Sequence, residues 1–483
     1  MKSNILPLPL SLPRSRSPAR SPQQIMAAKL EQLKKKSFSH LGKCLGKFIP
    51  DKYLHPTSSG ALSRRRIYSK ENTFWAFLSQ VLDADGGCKE VVRKLQAVVV
   101  LKSSQLPSSS TAAYCKARQK LDEGELKNIL KHTSEHVKNA ADSKRLNGRR
   151  VIVTDGASCS MPDTEKNQEE WPQYTSQKPG CGFPSATICT CFNLHNGVLL
   201  SYEIGNKKNH ELPMLRKQWS TFKTGDIFLG DKGFCSYYDQ SNFKDMGVDS
   251  IITLARRMPV SEVESIKVLG QDDLLIHWKK PAKNKLSSYS EKEWAALPET
   301  LPLRQIKVTV NQPGFQATSF YIITTLLDAE VYPAREITEV YFQRWDVELY
   351  FRHIKTTMGM DVLRCKTPEM VRKEILMHLI AYNCIRRLML EASNSKNVTL
   401  HRISFKGSVQ ALRQWEPHLN QEKMSRDQSL RLLRLLIDSI AGNIVPHRPG
   451  RSEPRAVKRR PKKFQLLNKP RHEMKVTNKI SKF

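Results

Sequence analysis

Apolar residues recur along this chain with two different periods, and the change from one to the other near residue 146 divides it. Before that point the spacing is helical. ENTFWAFLSQVL carries apolar side chains at helical intervals, and KEVVRKLQAVVVL follows a turn at Asp85, Gly86 and Gly87. The Ser-rich PSSSTAAYCKARQKL then offers N-cap hydroxyls to a third helix. Past residue 146, β-like runs alternate with helical ones. VIVTD (151–155), ATICTCFNL (186–194) and VLLSYEI (198–204) predict three strands, the last two joined by a turn at His195, Asn196 and Gly197. A helix near 209–219, a strand at DIFLGD (226–231), a helix near 237–245 and a strand at DSIITLA (249–255) follow.

Three strands, helix, strand, helix, strand is the order of a ribonuclease-H-like mixed sheet, so the predicted fold class is α/β. Residues 257–319 interrupt the pattern with polar sequence and short pieces such as DLLIHW and QIKVTV, which predict a β-rich insertion. Strand pattern resumes at FYIITTL (320–326), and a helix begins near Ala334, just after Pro333. EMVRKEILMHLIAYNCIRRLML is apolar at helical spacing and predicts a helix packed on the sheet. A later helix, 427–441, aligns Leu430, Leu433, Ile437 and Ile440 for packing or dimerisation.

Charge narrows the class of partner. The 483 residues carry 79 Lys and Arg against 46 Asp and Glu, a net charge of +33 with an isoelectric point near 9.8. Solubility does not require that excess; a polyanion accounts for it, nucleic acid better than a membrane surface. No apolar run reaches the roughly 18–20 residues that span a bilayer. ILPLPLSLP is too short and too broken by proline for a signal peptide, and Met26 is an alternative start. Without export the ten cysteines are expected as thiols. Cys181, Cys189, Cys191 and His195 cluster, but they read as buried thiols rather than a zinc site. Arg64, Arg65, Arg66, Arg93, Lys94, Lys116, Arg118 and Lys120 make the first helices basic, which predicts a DNA-contacting unit; a helical brace is the alternative. The expected organisation is a disordered basic, Pro-rich tail (1–40), a helical DNA-binding domain (41–145) and a ribonuclease-H-like core (146–256 and 320–395) carrying the β-rich insertion (257–319). A C-terminal helical region (396–447) and a basic tail (448–483) complete it.

The chemistry concentrates in YFQRWDVELYFRHIK (341–355). Tyr341, Arg344, Glu348 and Lys355 stand 3, 4 and 7 apart, steps that hold them in a stripe roughly 60° wide on a regular α-helix. Val340, Val347, Phe351, Ile354 and Met358 form the seating face beside it. One carboxylate among an aromatic hydroxyl, a guanidinium and an ammonium suits a phosphodiester and a metal ion; the plainer alternative is a solvated face with an Arg344–Glu348 pair. Asp155 ends the first predicted strand and Asp231 the fourth, and in a ribonuclease-H-like sheet these strands are neighbours. Either Asp alone could serve a turn or a cap, although Asp226 suits that work better. Three converging carboxylates repel one another unless cations lie between them, and hard oxygen ligands select Mg²⁺ or Mn²⁺. Two such ions about 3.5–4 Å apart serve in-line phosphoryl displacement. His210 and Glu211 precede the second Asp; capping of a helix start explains them, and they are left outside the site.

At these residues the chain resembles a known family. Tyr341, Arg344, Glu348 and Lys355 match without a gap the Tyr-x2-Arg-x3-Glu-x6-Lys signature of bacterial DDE transposases of the insertion-sequence-four family. TFWAFLSQVL, TAAYCKAR, DGASCSMPDT, KPGCGFP, GDKGF, ITTLLD and IAYNCIRRLM resemble that family's blocks in its order, over about residues 50–395. The resemblance implies a cut-and-paste DNA transposase that binds terminal inverted repeats, nicks them, forms a hairpin and transfers strands. Asp155, Asp231 and Glu348 would be the catalytic, metal-binding triad, holding two Mg²⁺ or Mn²⁺ ions, and Tyr341, Arg344 and Lys355 would grip the DNA backbone. Partners would be double-stranded transposon ends and target DNA, within a homodimeric synaptic complex on nucleoid DNA in the bacterial cytoplasm. The family's insertion helps hold a flipped base; Trp278 is preferred to Trp294 for stacking it, with a buried or surface indole the alternative for each. Trp345 reads at least as well as a packing residue. The rival functions are a ribonuclease-H-like nuclease, a decayed or domesticated non-catalytic DNA-binding protein, and a basic RNA-binding structural protein.

Overall fold

The computed structural model describes residues 39–446, apart from 57, 64–66, 84, 101–105, 136, 138–144, 207–209, 284–288, 311–317 and 421–424, together with 467–470 and 473. Residues 1–38 of the tail expected to be disordered through residue 40, most of the basic C-terminal tail, and Arg64, Arg65 and Arg66 lie outside the described residues, while Ser39 and His40 open a helix.

Helices come first: α1 (Ser39–Leu45), α2 (Lys70–Leu82), α3 (Cys88–Val100), α4 (Ala112–Gln119) and α5 (Glu123–Ser134). Polar residues start two of them, Ser69 accepting the Asn72 N–H and Asp122 that of Glu125. The sheet region then runs β1 (Val151–Ser160), α6 (Glu165–Glu170), β2 (Ser185–Asn193), β3 (Leu199–Gly205), α7 (Glu211–Arg216), β4 (Ile227–Gly230), α8 (Tyr237–Asp245) and β5 (Asp249–Leu254). It continues through β6 (Val263–Gly270), β7 (Asp273–Lys279), α9 (Glu291–Ala295), β8 (Thr300–Val310) and β9 (Thr318–Thr324). Among the described residues these strands form one sheet in the order β3-β2-β1-β4-β5-β9-β8-β7-β6. β1, β4 and β5 are parallel, while β2, β3 and β9 run antiparallel to their neighbours. The fold is α/β with a ribonuclease-H-like mixed sheet, and the meander from β6 to β9 extends that sheet past β5.

Period-two alternation sends side chains of the central strands to two different cores. Val151, Val153, Ile227 and Leu229 pack on one face with the helices, while Ile152 and Phe228 pack on the other with Leu215 and Phe243. Both faces are covered, which is why these strands read as continuous apolar runs. The turn at His195, Asn196 and Gly197 requires its glycine: Gly197 has φ +65, and a Cβ there would stand 2.4 Å from an Arg386 nitrogen.

After β9 come α10 (Ala334–Phe342), α11 (Asp346–Arg352), α12 (Pro368–Lys396), α13 (Phe405–Trp415) and α14 (Arg426–Gly442). α12 begins with proline in its first turn and ends at Asn397 in the left-handed region (φ 49). It packs on α2, α5 and α14, so the N-terminal helices share one core with the sheet. Asn383, fully buried on α12, accepts the Leu199 N–H and donates to the Leu199 carbonyl and the Thr133 hydroxyl, joining α12, β3 and α5. On α14, Ile440 is buried but Leu430 is exposed, so the expected apolar line is only partly covered.

Two local expectations are corrected. The first strand does not end at Asp155 but continues to Ser160, because antiparallel β2 pairs with it along that whole length. The 341–355 segment is not one regular α-helix. Gln343–Trp345 is a 3-10 turn between α10 and α11, and His353–Thr357 is a π-helical turn closed by Met358 N–H to the His353 carbonyl. The seating face survives both irregularities: Val340, Val347, Phe351, Ile354 and Met358 are all buried.

Candidate active site

Where β4 stops, β1 continues. Parallel pairing aligns Val151 with Ile227, Ile152 with Phe228 and Val153 with Leu229. Carried two residues further, that register reaches Asp155 and Asp231, on strands about 4.8 Å apart and with the same parity as Val153 and Leu229. By the alternation of β1, Asp155 shares the parity of Val151 and Val153, which face the helices, while Asp231 follows directly on the end of β4. Helix α11, which carries Glu348, packs on β1. Glu348 itself is exposed, and Asp155 and Asp231 are half-buried. Asp155 Oδ1 accepts its neighbour Gly156's N–H at 2.8 Å, and Asp231 Oδ1 accepts the Gly233 N–H at 2.8 Å as it caps a 3-10 turn.

Asp155 feels the other two acids. Burial raises the Asp155 carboxyl above its ordinary range; the Gly156 N–H and the Arg344 guanidinium pull it down, while Asp231 and Glu348 push it up. Asp226, by contrast, is a buried structural acid, accepting the Lys223 N–H and paired with Arg150 through Nε at 2.9 Å. That is the separate role its sequence position suggested.

Tyr341, Arg344 and Lys355 lie around this group in different settings. Tyr341 is buried against Phe320, its hydroxyl 3.1 Å from the Thr253 hydroxyl. Arg344 is 8% exposed, its guanidinium over the rings of Trp345 (5.0 Å) and Tyr341 (5.9 Å), and its Nε has no hydrogen-bond partner among the described residues. Lys355, in the π-helical turn, stands near Cys159 at the far end of β1, whose thiol burial pushes up to about 12 and Lys355 draws down. That end of β1 is stitched to the chain just after Lys355: the Ser160 carbonyl accepts the Leu363 N–H at 3.0 Å.

The family model of the transposase DDE domain matches residues 146–384, a span that holds Asp155, Asp231, Tyr341, Arg344, Glu348 and Lys355. The chain is 26% identical over 434 residues to the transposase InsG of insertion sequence element IS4 from Escherichia coli (strain K12), covering 89% of this chain and 94% of that protein. The chain is a DDE-type transposase of the insertion-sequence-four family. A shorter stretch of 72 residues is 32% identical to the transposase of insertion sequence element IS421 from Escherichia coli, covering 15% of this chain and 19% of that one. A solved piggyBac transposase synaptic complex with hairpin DNA covers 88% of this chain and 87% of its own, at 10% identity and a TM-score of 0.37, a likeness too slight to carry argument.

Several expectations about this transposase change with the tertiary structure. Trp278 and Trp294 are both buried, Trp278 edge-on to Tyr237 and Trp294 stacked on Tyr289 at 5.2 Å, so each is a core indole. Trp345 is the exposed one, at 55%, flanked by exposed Phe342 and Leu349. Of the basic residues on the first helices, Arg118 is buried beside Tyr114, Phe77 and Gln80, and Lys94 pairs with Asp83 at 2.9 Å. Lys116, Lys120 and Arg93 remain on the surface.

Glu211 is the residue that sequence reasoning set aside. It opens α7, but neither it nor His210, at the N-cap position, makes a side-chain cap. Instead Glu211 reaches the Asp155 end of β1: a Cβ on Gly156 would stand 1.8 Å from its Oε1. Burial raises its carboxyl, and Asp155 and Asp231 raise it further. The one signal in the sequence was an acid between the third and fourth strands of a sheet whose first and fourth strands carry the other two.

Proposed function

We propose that Asp155, Asp231 and Glu348 are the catalytic carboxylates of this transposase, and that Tyr341, Arg344 and Lys355 grip the DNA backbone beside the scissile phosphate. The reading is supported above all by the parallel register that brings Asp155 level with Asp231 under the helix bearing Glu348. Transposases of this family use divalent metal ions, and the donor set here fits Mg²⁺ or Mn²⁺: hard carboxylate oxygens that repel one another at Asp155. Among the described residues no three His, Cys, Asp or Glu side chains close into a ready-made cage. Mg²⁺ keeps several waters and takes the substrate's own phosphate oxygens as ligands, so its site need not be closed by protein groups alone. Two ions, when bound, would supply charge neutralisation at the attacking and leaving oxygens.

The chain's own residues then have separable tasks. The acids fix where charge can be neutralised, and the stiff junction of β1 and β4 sets their spacing. Arg344, held by two aromatic faces and with an unused N–H, offers a planar donor to a phosphate oxygen. Lys355 offers a point charge further along the strand. Water attack frees a 3′-OH at each transposon end, that hydroxyl attacks the opposite strand to give a hairpin, and the reopened end is joined to target DNA. Two copies of the chain pair two ends in this scheme, in the cytoplasm on nucleoid DNA. No helix among the described residues is long and apolar enough to cross a membrane.

The test is nicking of a labelled inverted-repeat end. Cleavage with Mg²⁺, none with EDTA, and outcompetition of random duplex by the repeat are expected. Metal-dependent cleavage without preference for the repeat would favour a general nuclease, and no cleavage under any metal a non-catalytic DNA-binding protein. Substituting Arg344 or Lys355 by Ala should weaken end binding and lower the slope of log affinity against log salt by about one each, as expected for a lost phosphate contact. An unchanged slope would remove that residue from the DNA grip.

A further inference from the structure

We propose that Glu211 is a fourth carboxylate of the active site, helping to hold a divalent cation at Asp155 and Asp231 from the face of the sheet opposite Glu348. The inference rests on the proposed triad and adds a residue to it.

Three observations carry it. First, α7 lies on the opposite face from α11, with its Leu215 packed against Ile152 and Phe228, and it touches β1, β2, β3 and the 3-10 turn that follows Asp231. Its first residue is thus held at the edge where β4 ends. Second, the approach depends on a missing side chain. Any Cβ at position 156 would collide with the Glu211 carboxylate, whose Oε1 lies 1.8 Å and Cδ 2.6 Å from where it would sit. Gly156 does not have a positive φ, so backbone strain gives no reason for glycine there. Third, the carboxylate is half-buried, yet no cationic or hydrogen-bonding group of the described residues offsets it; the charges acting on it are those of the like-charged Asp155 and Asp231. A half-buried carboxylate set among other carboxylates needs an opposite charge nearby, and a divalent cation shared with them supplies it. The Arg344 guanidinium, 8% exposed with Nε unpartnered, is the protein's own cation nearest in effect to Asp155. One positive charge does not balance four acids.

A structural role for Glu211 predicts something different. An acid in the first turn of a six-residue helix would only favour the helix dipole, and its loss would affect stability without touching metal affinity.

The experiment is an Mn²⁺ titration of the full chain without DNA, read by electron paramagnetic resonance of the free ion, with thermal melts alongside. Glu211→Gln is expected to weaken Mn²⁺ binding about 10–100-fold with an unchanged melt. Asp155→Asn, run in parallel, should lose binding outright. If Asp155→Asn binds Mn²⁺ like the parent chain, the triad reading fails; if it loses binding while Glu211→Gln does not, only the present inference fails. Gly156→Ala provides a second route that keeps Glu211's charge. It should weaken Mn²⁺ binding by displacing Glu211, and should add no loss in a Glu211→Ala background. Equal losses in both backgrounds would mean that Gly156 acts independently of Glu211 and would overturn the proposal.

Discussion

Asp155→Asn is expected to lower transposon-end nicking on the order of 10³-fold or more, the scale of losing one electrostatic contributor to a transition state. Affinity for the end in EDTA should stay within a few-fold of the parent chain. The substitution removes a negative charge on which Asp231 and Glu348 both act, and leaves the strand pairing intact. Asp231→Asn and Glu348→Gln should behave alike, because the proposed site depends on all three acids and fails when any one is neutralised. End binding is expected to survive because Arg344 and Lys355, the positive groups proposed to grip the DNA, are left in place. Single-turnover nicking and gel-shift affinity, measured on the same preparations, check this. A variant that nicks at the parent rate removes its residue from the site.

Arg304→Met is expected to produce the largest loss of stability, about 3–5 kcal/mol, because it strands a buried carboxylate. Arg304 is 1% exposed and grips Asp273 through two nitrogens, Nε at 2.8 Å, with a further hydrogen bond of 2.6 Å from Nη1 to the Tyr332 carbonyl. The pair thus ties β7 and β8 to the chain entering α10. Met fills a similar volume but leaves the 6%-exposed Asp273 without its counter-ion. Adding Asp273→Leu should recover much of the loss, since the cost lies in the unpaired charge rather than in the missing pair. Urea unfolding of parent, single and double variants reads both effects. A single variant as stable as the parent would mean that water reaches Asp273.

Much of this was legible along the chain because it is local. Apart from the short α6, which was not expected, the strands and helices from Val151 to Leu254 read correctly to within a residue or two at most ends, since both faces of that sheet are buried and the runs are short and apolar. Where the reading failed, contacts distant in sequence intervened. Asp155 looked like a strand end because the strand-like run stops there and Gly156 follows, but β2 extends the strand to Ser160. A regular helix from Tyr341 to Lys355 was assumed from spacing alone. The 3-10 and π-helical turns inside it leave no mark in an apolar pattern that tolerates both. Trp278 and Trp294 could not be told from exposed stacking residues, since burial depends on Tyr237 and Tyr289 closing over them.

By itself, then, the amino-acid sequence determined the family, the order of the main strands and helices, and the identity of the acids and bases in the 341–355 segment, all properties carried by residue type and short spacing. Tertiary structure alone decided that the insertion's strands would extend the main sheet, that Arg118 would be buried while Trp345 stays exposed, and that Glu211 would come up against Gly156. Those outcomes depend on which surfaces meet across the sheet. Such meetings are set by burial and steric fit between segments far apart in the chain, which no local pattern records.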